Sequence, residues 1–173
     1  APSGCYVIDR RSGHRQPVAT AWTAGLTRHE LDDLFSTTVA AALAADVLVV
    51  TNPLPGDLLP MHFYSDLVAD VRGAGIPVLV DLSPPRLEAA LAGGPDLVKV
   101  NDWELAQFVT GPVDSHSERT GAVARLLAAG AGSVVVTRGG ESAFATDAEG
   151  RTVELVPPRF EHGSPEGCGD SMM

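Results

Sequence analysis

Short apolar runs alternate with longer amphipathic segments along most of the chain. Four of these runs are rich in Val and Leu and too short for buried helices; they lie at residues 46–51, 78–81, 97–100 and 133–137. Continuous apolar runs of this length are typical of strands covered on both faces. Strands that alternate with helices form a mainly parallel sheet through right-handed crossovers. The pattern therefore predicts an α/β fold with helices on both faces of the sheet.

Helix-start signals mark the segments between these strands. Thr27 is followed by Glu30, and Ser115 by Glu118, at the spacing of a capping box. These pairs predict one helix at residues 28–44 and another that runs from the second box to about residue 127. Apolar spacing and turn residues predict three more helices, from about residue 60 to Gly73, at 84–91 and at 102–109.

Two pairs of alternating segments predict β-hairpins. The first joins residues 5–9 to 16–22, and the second joins 142–146 to 152–156. We find no linker, repeat or low-complexity tract, so we predict one domain over residues 1–173, with a hairpin segment at 1–24 and an α/β core at 25–173. The chain begins with Ala and ends where a helix is predicted to begin. We therefore expect it to be an internal fragment of a longer protein.

Composition and charge narrow the classes of partner. The 173 residues are 45% apolar and carry a formal net charge of −10 at pH 7, which argues against nucleic acid or an anionic membrane as a partner. Cys5 and Cys168 are too few and too far apart for a metal or disulfide framework, and the five histidines show no ligand spacing. No apolar run reaches membrane-spanning length. We expect a protein of the reducing cytoplasm.

Polar side chains stand at the carboxyl ends of the four predicted parallel strands. They are Thr51 and Asn52, Asp81, Asn101, and Thr137 and Arg138. Polar loops after strands are ordinary, so each position alone indicates little. Ligands of open parallel sheets bind beyond this edge, however, and four polar ends on one edge predict a shared site.

A lysine, an amide and a carboxylate fall close together at the third strand. Lys99 interrupts an apolar strand, where a charge is costly without a partner. Asn101 ends the strand, and a helix that begins at Asp102 brings Glu104 back toward it. This group suits phosphates and a Mg²⁺ ion that keeps its waters. The alternative is that Glu104 simply favours a helix N-terminus.

Glycines shape two turns that could approach a phosphate. Residues 137–140 form a short turn after a buried strand, suited to the close approach of a nucleotide, although the chain has no Walker-type loop. Gly167 and Gly169 let backbone N–H groups converge before a predicted helix start, which makes an anion site. Asp170 follows, where it could take a proton from an attacking hydroxyl. The alternative is a plain structural turn.

Taken in order, these motifs resemble the ribokinase-like (PfkB) family of sugar kinases, and within it the 1-phosphofructokinase branch. Residues 167–170, Gly-Cys-Gly-Asp, are similar to the family's G-A-G-D signature, and residues 99–104 are similar to its K-P-N-x-x-E segment. Residues 134–140 resemble the strand and turn that border its nucleotide, and residues 53–56 resemble its S-L-P-P-G segment. The resemblance implies an incomplete three-layer α/β/α ribokinase-like fold, in which residues 1–24 come from a β-lid.

The resemblance also implies a reaction. The expected activity is the ATP- and Mg²⁺-dependent phosphorylation of a sugar phosphate, with fructose 1-phosphate converted to fructose 1,6-bisphosphate. Asp170 would be the general base, and the N–H groups of Gly167, Cys168, Gly169 and Asp170 would hold the transferred phosphoryl group. Glu104 and Asn101 would arrange Mg²⁺. The residues expected to contact ATP are Lys99, Asn101, Thr137, Arg138, Gly139 and Gly140.

Departures from the family pattern leave alternatives open. Cys168 stands where the signature has Ala, and Glu166 places a carboxylate beside the expected anion site. A kinase for tagatose 6-phosphate or another sugar therefore stays open, as does a non-catalytic relative that binds nucleotide or sugar. By this resemblance, we expect the family's N-terminal sugar-binding part and its C-terminal adenine-covering part to lie outside these 173 residues. We expect the 173-residue chain alone to be inactive, and the full-length protein to form a homodimer through the lid.

Overall fold

The computed structural model describes residues 5–11, 16–21, 25–53 and 57–157. Every predicted helix and strand within these residues is present, with bounds shifted by a few residues at most. The order of elements is β1 (Cys5–Asp9), β2 (Gln16–Ala21), α1 (Arg28–Ala42), β3 (Leu48–Thr51), α2 (Met61–Gly73), β4 (Val78–Asp81), α3 (Arg86–Leu91), β5 (Leu97–Asn101), α4 (Asp102–Val109), α5 (His116–Ala128), β6 (Ser133–Arg138), β7 (Glu141–Asp147) and β8 (Thr152–Leu155).

Strands β3 to β8 form a six-stranded sheet in sequence order. The first four strands are parallel, and β7 and β8 add antiparallel to β6. A helical crossover lies between each pair of parallel neighbours, as a parallel arrangement requires. The predicted α/β fold with a mainly parallel sheet is confirmed.

The core forms where the central strands meet the inner faces of the helices. Side chains of β4, β5 and β6 that are fully buried include Val80, Val98, Val100, Val134 and Val136. The predicted inner face of α2 is also buried, and it consists of Tyr64, Leu67, Val68 and Val71. The continuous apolar runs of the central strands and the helical spacing of α2 therefore mark residues that the structure buries.

Helix α1 follows its predicted face only in part. Phe35 and Val39 pack against the core, whereas Leu34 and Leu43 are 39% and 53% exposed. Leu43 is the C-cap residue, beyond the last helical turn, and Leu34 lies about 100° around the helix from Phe35, at the margin of the apolar stripe. The apolar contact of α1 is thus narrower than its sequence pattern indicates.

Both predicted capping boxes are present. The Thr27 hydroxyl accepts from the Glu30 N–H, and the Ser115 hydroxyl accepts from the Glu118 N–H, while each glutamate accepts from the backbone N–H of its cap residue. The Ser115 backbone N–H, followed by the Ser115 side chain, lowers the pKa of Glu118. The starts of α1 and α5 are therefore set by local sequence.

Strands β1 and β2 form a separate two-stranded antiparallel sheet, as predicted. Val7 and Val18 on this hairpin are 55% and 58% exposed. The division of the chain at residue 24, the role of the hairpin as a lid and the dimer through it stay predictions. Among the described residues, no helix has the length and apolar character needed to span a membrane.

Candidate functional site

The register of the parallel strands aligns their carboxyl ends. Thr51 of β3 pairs with Asp81 of β4, and Asn101 of β5 pairs with Thr137 of β6. The polar residues that follow the four apolar runs are therefore neighbours along one edge of the sheet, which we call the carboxyl rim. This places the predicted strand-end residues together, although their roles toward a ligand stay predictions.

Lys99 has a charged partner on the neighbouring strand. Its Nζ lies 2.6 Å from Oδ2 of Asp81, and the two side chains are 7% and 10% exposed. An unpaired ammonium in this position would be costly, so the pair explains how the strand tolerates a lysine. The contact that the structure records for Lys99 is thus with Asp81, and its predicted contact with ATP phosphates stays a prediction.

Asn101 and Glu104 form a capping box at the start of α4. The Asn101 Oδ1 accepts from the Glu104 N–H at 2.8 Å, and a Glu104 carboxylate oxygen accepts from the Asn101 N–H at 3.0 Å. The expectation that the helix brings Glu104 back to Asn101 is confirmed. Glu104 is only 7% exposed, unlike an ordinary capping glutamate at a solvated helix start.

Sequence reasoning missed Ser83, which connects Glu104 to the loop after β3. Its hydroxyl donates to Oε1 of Glu104 at 3.1 Å, and it also accepts from Nδ2 of Asn52 at 3.1 Å. The Asn52 Oδ1 accepts from the Ser83 N–H at 3.1 Å and from Nε of Arg86 at 3.0 Å. A serine two residues beyond the predicted strand end at Asp81 was the available signal.

The oxygen atoms that Glu104 and Asn101 offer suit a Mg²⁺ ion that is bound mainly through phosphates and water. Among the described residues, no group of three or more His, Cys, Asp or Glu side chains could form a metal cage. Mg²⁺ is commonly held by one or two carboxylates together with substrate phosphates and several waters. Glu104 has no ion-pair partner in the part of the chain that the structure describes, and its two oxygens accept one hydrogen bond each. Glu104 and Asn101 therefore fit such an ion when ATP supplies the remaining ligands.

The predicted nucleotide turn joins β6 to β7. The Thr137 hydroxyl lies 3.5 Å from the Val100 carbonyl oxygen, and Gly139 has a φ of +59°, which a residue with a side chain rarely adopts. Space around Gly139 and Gly140 is open, since a Cβ built on either would meet nothing within 4 Å. This open turn is compatible with the predicted approach of a nucleotide.

Arg138 lies in a shallow pocket next to the start of α4. The pocket has a volume of about 360 Å³, and its lining includes Asp102, Trp103, Arg119 and Arg138. Trp103 is 63% exposed, which is unusual for a large aromatic side chain. A larger pocket of about 580 Å³ lies between α1 and α2, but neither Lys99 nor Glu104 lines it. We therefore place the candidate site at the rim and not in the larger pocket.

The second glycine-containing candidate, at residues 167–170, lies beyond the last described residue, Pro157. Gly167, Cys168, Gly169 and Asp170 lie outside the described residues, and so does Glu166. Their predicted roles as anion site and general base stay predictions.

Comparison with known proteins decides the family. A family model described as pfkB family carbohydrate kinase matches residues 4–173. The chain belongs to this family. The match includes both the carboxyl rim and the glycine-rich residues near position 170.

Relatives of this pfkB-family chain include two curated bacterial proteins. A 1-phosphofructokinase from Xanthomonas campestris pv. campestris is 35% identical over 130 residues, which cover 73% of this chain and 40% of the relative. The ATP-dependent 6-phosphofructokinase isozyme 2 of Escherichia coli is 33% identical over 129 residues, which cover 73% of this chain and 41% of the relative. The chain thus spans about two fifths of the length of each relative.

A solved structure supports the ribokinase-like fold of this pfkB-family chain. Phosphofructokinase-2 from Escherichia coli, in complex with fructose-6-phosphate, aligns with a TM-score of 0.75 at 29% identity. The alignment covers 98% of this chain and 55% of that chain. The expected fold and family are therefore both confirmed.

Proposed function

We propose that the protein transfers the γ-phosphoryl group of ATP to a hydroxyl of a sugar phosphate, with Mg²⁺ as the required cation. The observation that carries this proposal is Glu104, a buried carboxylate without an ion-pair partner among the described residues, held at the carboxyl rim by Asn101 and Ser83. Such a group can organise a hydrated cation next to phosphates. Membership of a carbohydrate kinase family supports ATP as the source of the phosphates that this cation would meet.

The chain's own residues have distinct tasks in this reaction. Phosphoryl transfer is catalysed mainly by positioning and by stabilisation of charge. Glu104 and Asn101 hold the waters of Mg²⁺, which neutralises charge on the ATP phosphates when it is bound. The turn at residues 137–140 borders the nucleotide. Asp170 accepts the proton of the attacking sugar hydroxyl, and the N–H groups of residues 167–170 receive the phosphoryl oxygens.

The acceptor that we propose is fructose 1-phosphate, with fructose 1,6-bisphosphate as the product. The name of the Xanthomonas relative, 1-phosphofructokinase, supports this choice. The Escherichia coli relative is named a 6-phosphofructokinase, which makes fructose 6-phosphate the first competitor. Tagatose 6-phosphate is a third acceptor of the same chemical class.

A substrate panel tests the proposal on the protein at its full natural length. ADP formation is measured with Mg·ATP and each of fructose 1-phosphate, fructose 6-phosphate and tagatose 6-phosphate. We expect the highest kcat/KM with fructose 1-phosphate and no activity after chelation of Mg²⁺. A higher kcat/KM with another sugar phosphate would correct the acceptor and leave the reaction class intact. Binding of Mg·ATP without turnover of any acceptor would favour a non-catalytic relative.

A further inference from the structure

The side chains of Asn52, Ser83 and Glu104 form a continuous chain of hydrogen bonds across the carboxyl rim. Asn52 follows β3, Ser83 follows β4, and Glu104 lies in the first turn of α4, directly after β5. The two side-chain contacts, Asn52 Nδ2 to Ser83 Oγ and Ser83 Oγ to Glu104 Oε1, are each 3.1 Å long. Side chains from three separate strand ends thus meet at a single hydroxyl.

The direction of these hydrogen bonds follows from the groups involved. Oδ1 of Asn52 faces the Ser83 backbone N–H and Nε of Arg86, and both of these groups can only donate. The NH₂ group of Asn52 must therefore face the Ser83 hydroxyl, which accepts from it. A hydroxyl has one proton to donate, and Oε1 of Glu104 is an acceptor. The Ser83 proton is consequently directed at the carboxylate.

Ser83 supplies one of two points at which the Glu104 carboxylate is held. Oε2 accepts from the Asn101 N–H, and Oε1 accepts from Ser83. Two donors on different oxygens fix the plane of the carboxylate, whereas one donor would leave it free to rotate about the bond that carries it. Each oxygen keeps a further acceptor position, since a carboxylate oxygen offers about two. The Ser83 contact therefore determines where those remaining positions point.

We propose that Ser83 is a positioning residue for Glu104, held in place by Asn52, and that it sets the orientation in which the carboxylate meets the hydration shell of Mg·ATP. Ser83 itself contacts neither the ion nor the substrate in this proposal. The inference rests on the proposed function, because Glu104 needs a fixed orientation only if it organises a cation. Outer groups that orient a metal-binding carboxylate commonly change metal affinity by ~10–100-fold when they are removed.

Ser83→Ala tests the proposal in the protein at its full natural length. Calorimetric titration measures the affinity for ATP at increasing free Mg²⁺ and also without Mg²⁺. We expect the free Mg²⁺ concentration that gives half of the maximal gain in ATP affinity to rise by ~10-fold or more. ATP affinity without Mg²⁺ should stay within about twofold of the wild type, since Ser83 has no contact with ATP in this proposal. Steady-state rates against free Mg²⁺ should shift in the same direction.

Ser83→Thr and Ser133→Ala are the matched variants. Ser83→Thr keeps a hydroxyl at the position and should restore the wild-type Mg²⁺ dependence. Ser133 is also a partly buried serine with one hydrogen bond, from its hydroxyl to the Asp96 carbonyl at 2.8 Å, but it lies at the amino end of β6. Ser133→Ala should leave the Mg²⁺ dependence unchanged. If Ser83→Ala does not fold, Ser83→Cys, whose thiol donates weakly, should give a smaller shift in the same direction.

The outcomes separate this proposal from the proposed function. A wild-type protein with no Mg²⁺-dependent gain in ATP affinity and no sugar phosphorylation overturns both. A wild-type protein that shows both properties, with Ser83→Ala indistinguishable from it, overturns only the role of Ser83. An equal shift in Ser83→Thr, or in Ser133→Ala, would show that the hydroxyl at residue 83 is not the cause.

Discussion

Asp81 and Lys99 form an ion pair between neighbouring parallel strands, with Oδ2 and Nζ 2.6 Å apart and both side chains at most 10% exposed. The pair lies just below the level of Asn101 and Glu104, on the strands that also carry the core valines Val80 and Val98. A buried pair of this kind contributes little net stability compared with apolar residues, but the removal of one partner leaves an uncompensated charge. The ion pair therefore favours the register of β4 and β5 that brings their carboxyl ends together at the carboxyl rim.

A double-mutant cycle measures this coupling. Asp81→Leu should lower the free energy of unfolding by ~3–5 kcal/mol, because it removes the carboxylate that the buried Lys99 ammonium contacts. Lys99→Met removes the ammonium from the same contact and should also lower the free energy of unfolding. The double variant should be destabilised by clearly less than the sum of the two single effects. Urea denaturation of the four proteins gives the values. Additive single effects would contradict a direct coupling between the two side chains.

Tyr64 should destabilise the fold through its hydroxyl. The side chain is 1% exposed, and within the described part of the chain its hydroxyl has no hydrogen-bond partner. An unsatisfied buried polar group costs ~1–3 kcal/mol, so Tyr64→Phe should raise the free energy of unfolding by about 1 kcal/mol. Ser133→Ala, which removes a hydroxyl with a partner, should lower it. A loss of stability in Tyr64→Phe would show that the hydroxyl does have a partner in solution.

The same residue predicts a pH dependence. Burial raises the pKa of Tyr64, while Arg86 opposes this shift. The raised pKa means that the folded state favours the neutral phenol more strongly than the unfolded state does. This preference contributes fully to stability below the pKa of the unfolded state, about 10. It is lost as the pH rises through the higher pKa of the folded state. Wild-type stability should therefore fall more steeply above pH ~10 than that of Tyr64→Phe, as measured by denaturation at several alkaline pH values.

Local patterns explain why so much of the fold could be predicted. The capping boxes at Thr27 and Ser115 join residues three apart, and the apolar period of α2 selects the residues that the structure buries. Both signals act within one element, so no tertiary information is needed to read them. The exposed Leu34 of α1 shows the limit, because the width of a packed apolar stripe depends on the neighbouring elements.

The candidate site was predictable to the extent that its contacts are local. Asn101 and Glu104 are three residues apart at a helix start, and their contact was expected from that spacing. The pair of Lys99 with Asp81 depends on the register of two strands, and a shift of one residue would separate them. Ser83 lies in a loop, where no apolar period indicates the direction of a side chain. Contacts between distant segments are therefore the part that the sequence did not reveal.

Asp170 is predicted to be the general base, although it lies outside the described residues. In the protein at its full natural length, Asp170→Asn should reduce sugar phosphorylation by at least ~10²–10⁴-fold, because the amide cannot accept the hydroxyl proton. Calorimetric affinity for Mg·ATP should remain close to that of the wild type. The neighbouring substitution Cys168→Ala, which restores the family's usual residue, should leave turnover intact. Wild-type turnover in Asp170→Asn would exclude the residue from proton transfer.

Glu104→Gln distinguishes a metal-organising carboxylate from a residue that only starts a helix. The amide can still accept from the Asn101 N–H, so the cap persists in part, but the buried negative charge is lost. The free Mg²⁺ concentration for half-maximal rate should rise by about tenfold or more, as for groups that support a metal site. Glu118→Gln is the matched control, because Glu118 has the same capping-box contacts at α5 but is exposed and away from the rim. It should leave the Mg²⁺ curve unchanged. Identical curves for both variants and the wild type would assign Glu104 to the helix start alone.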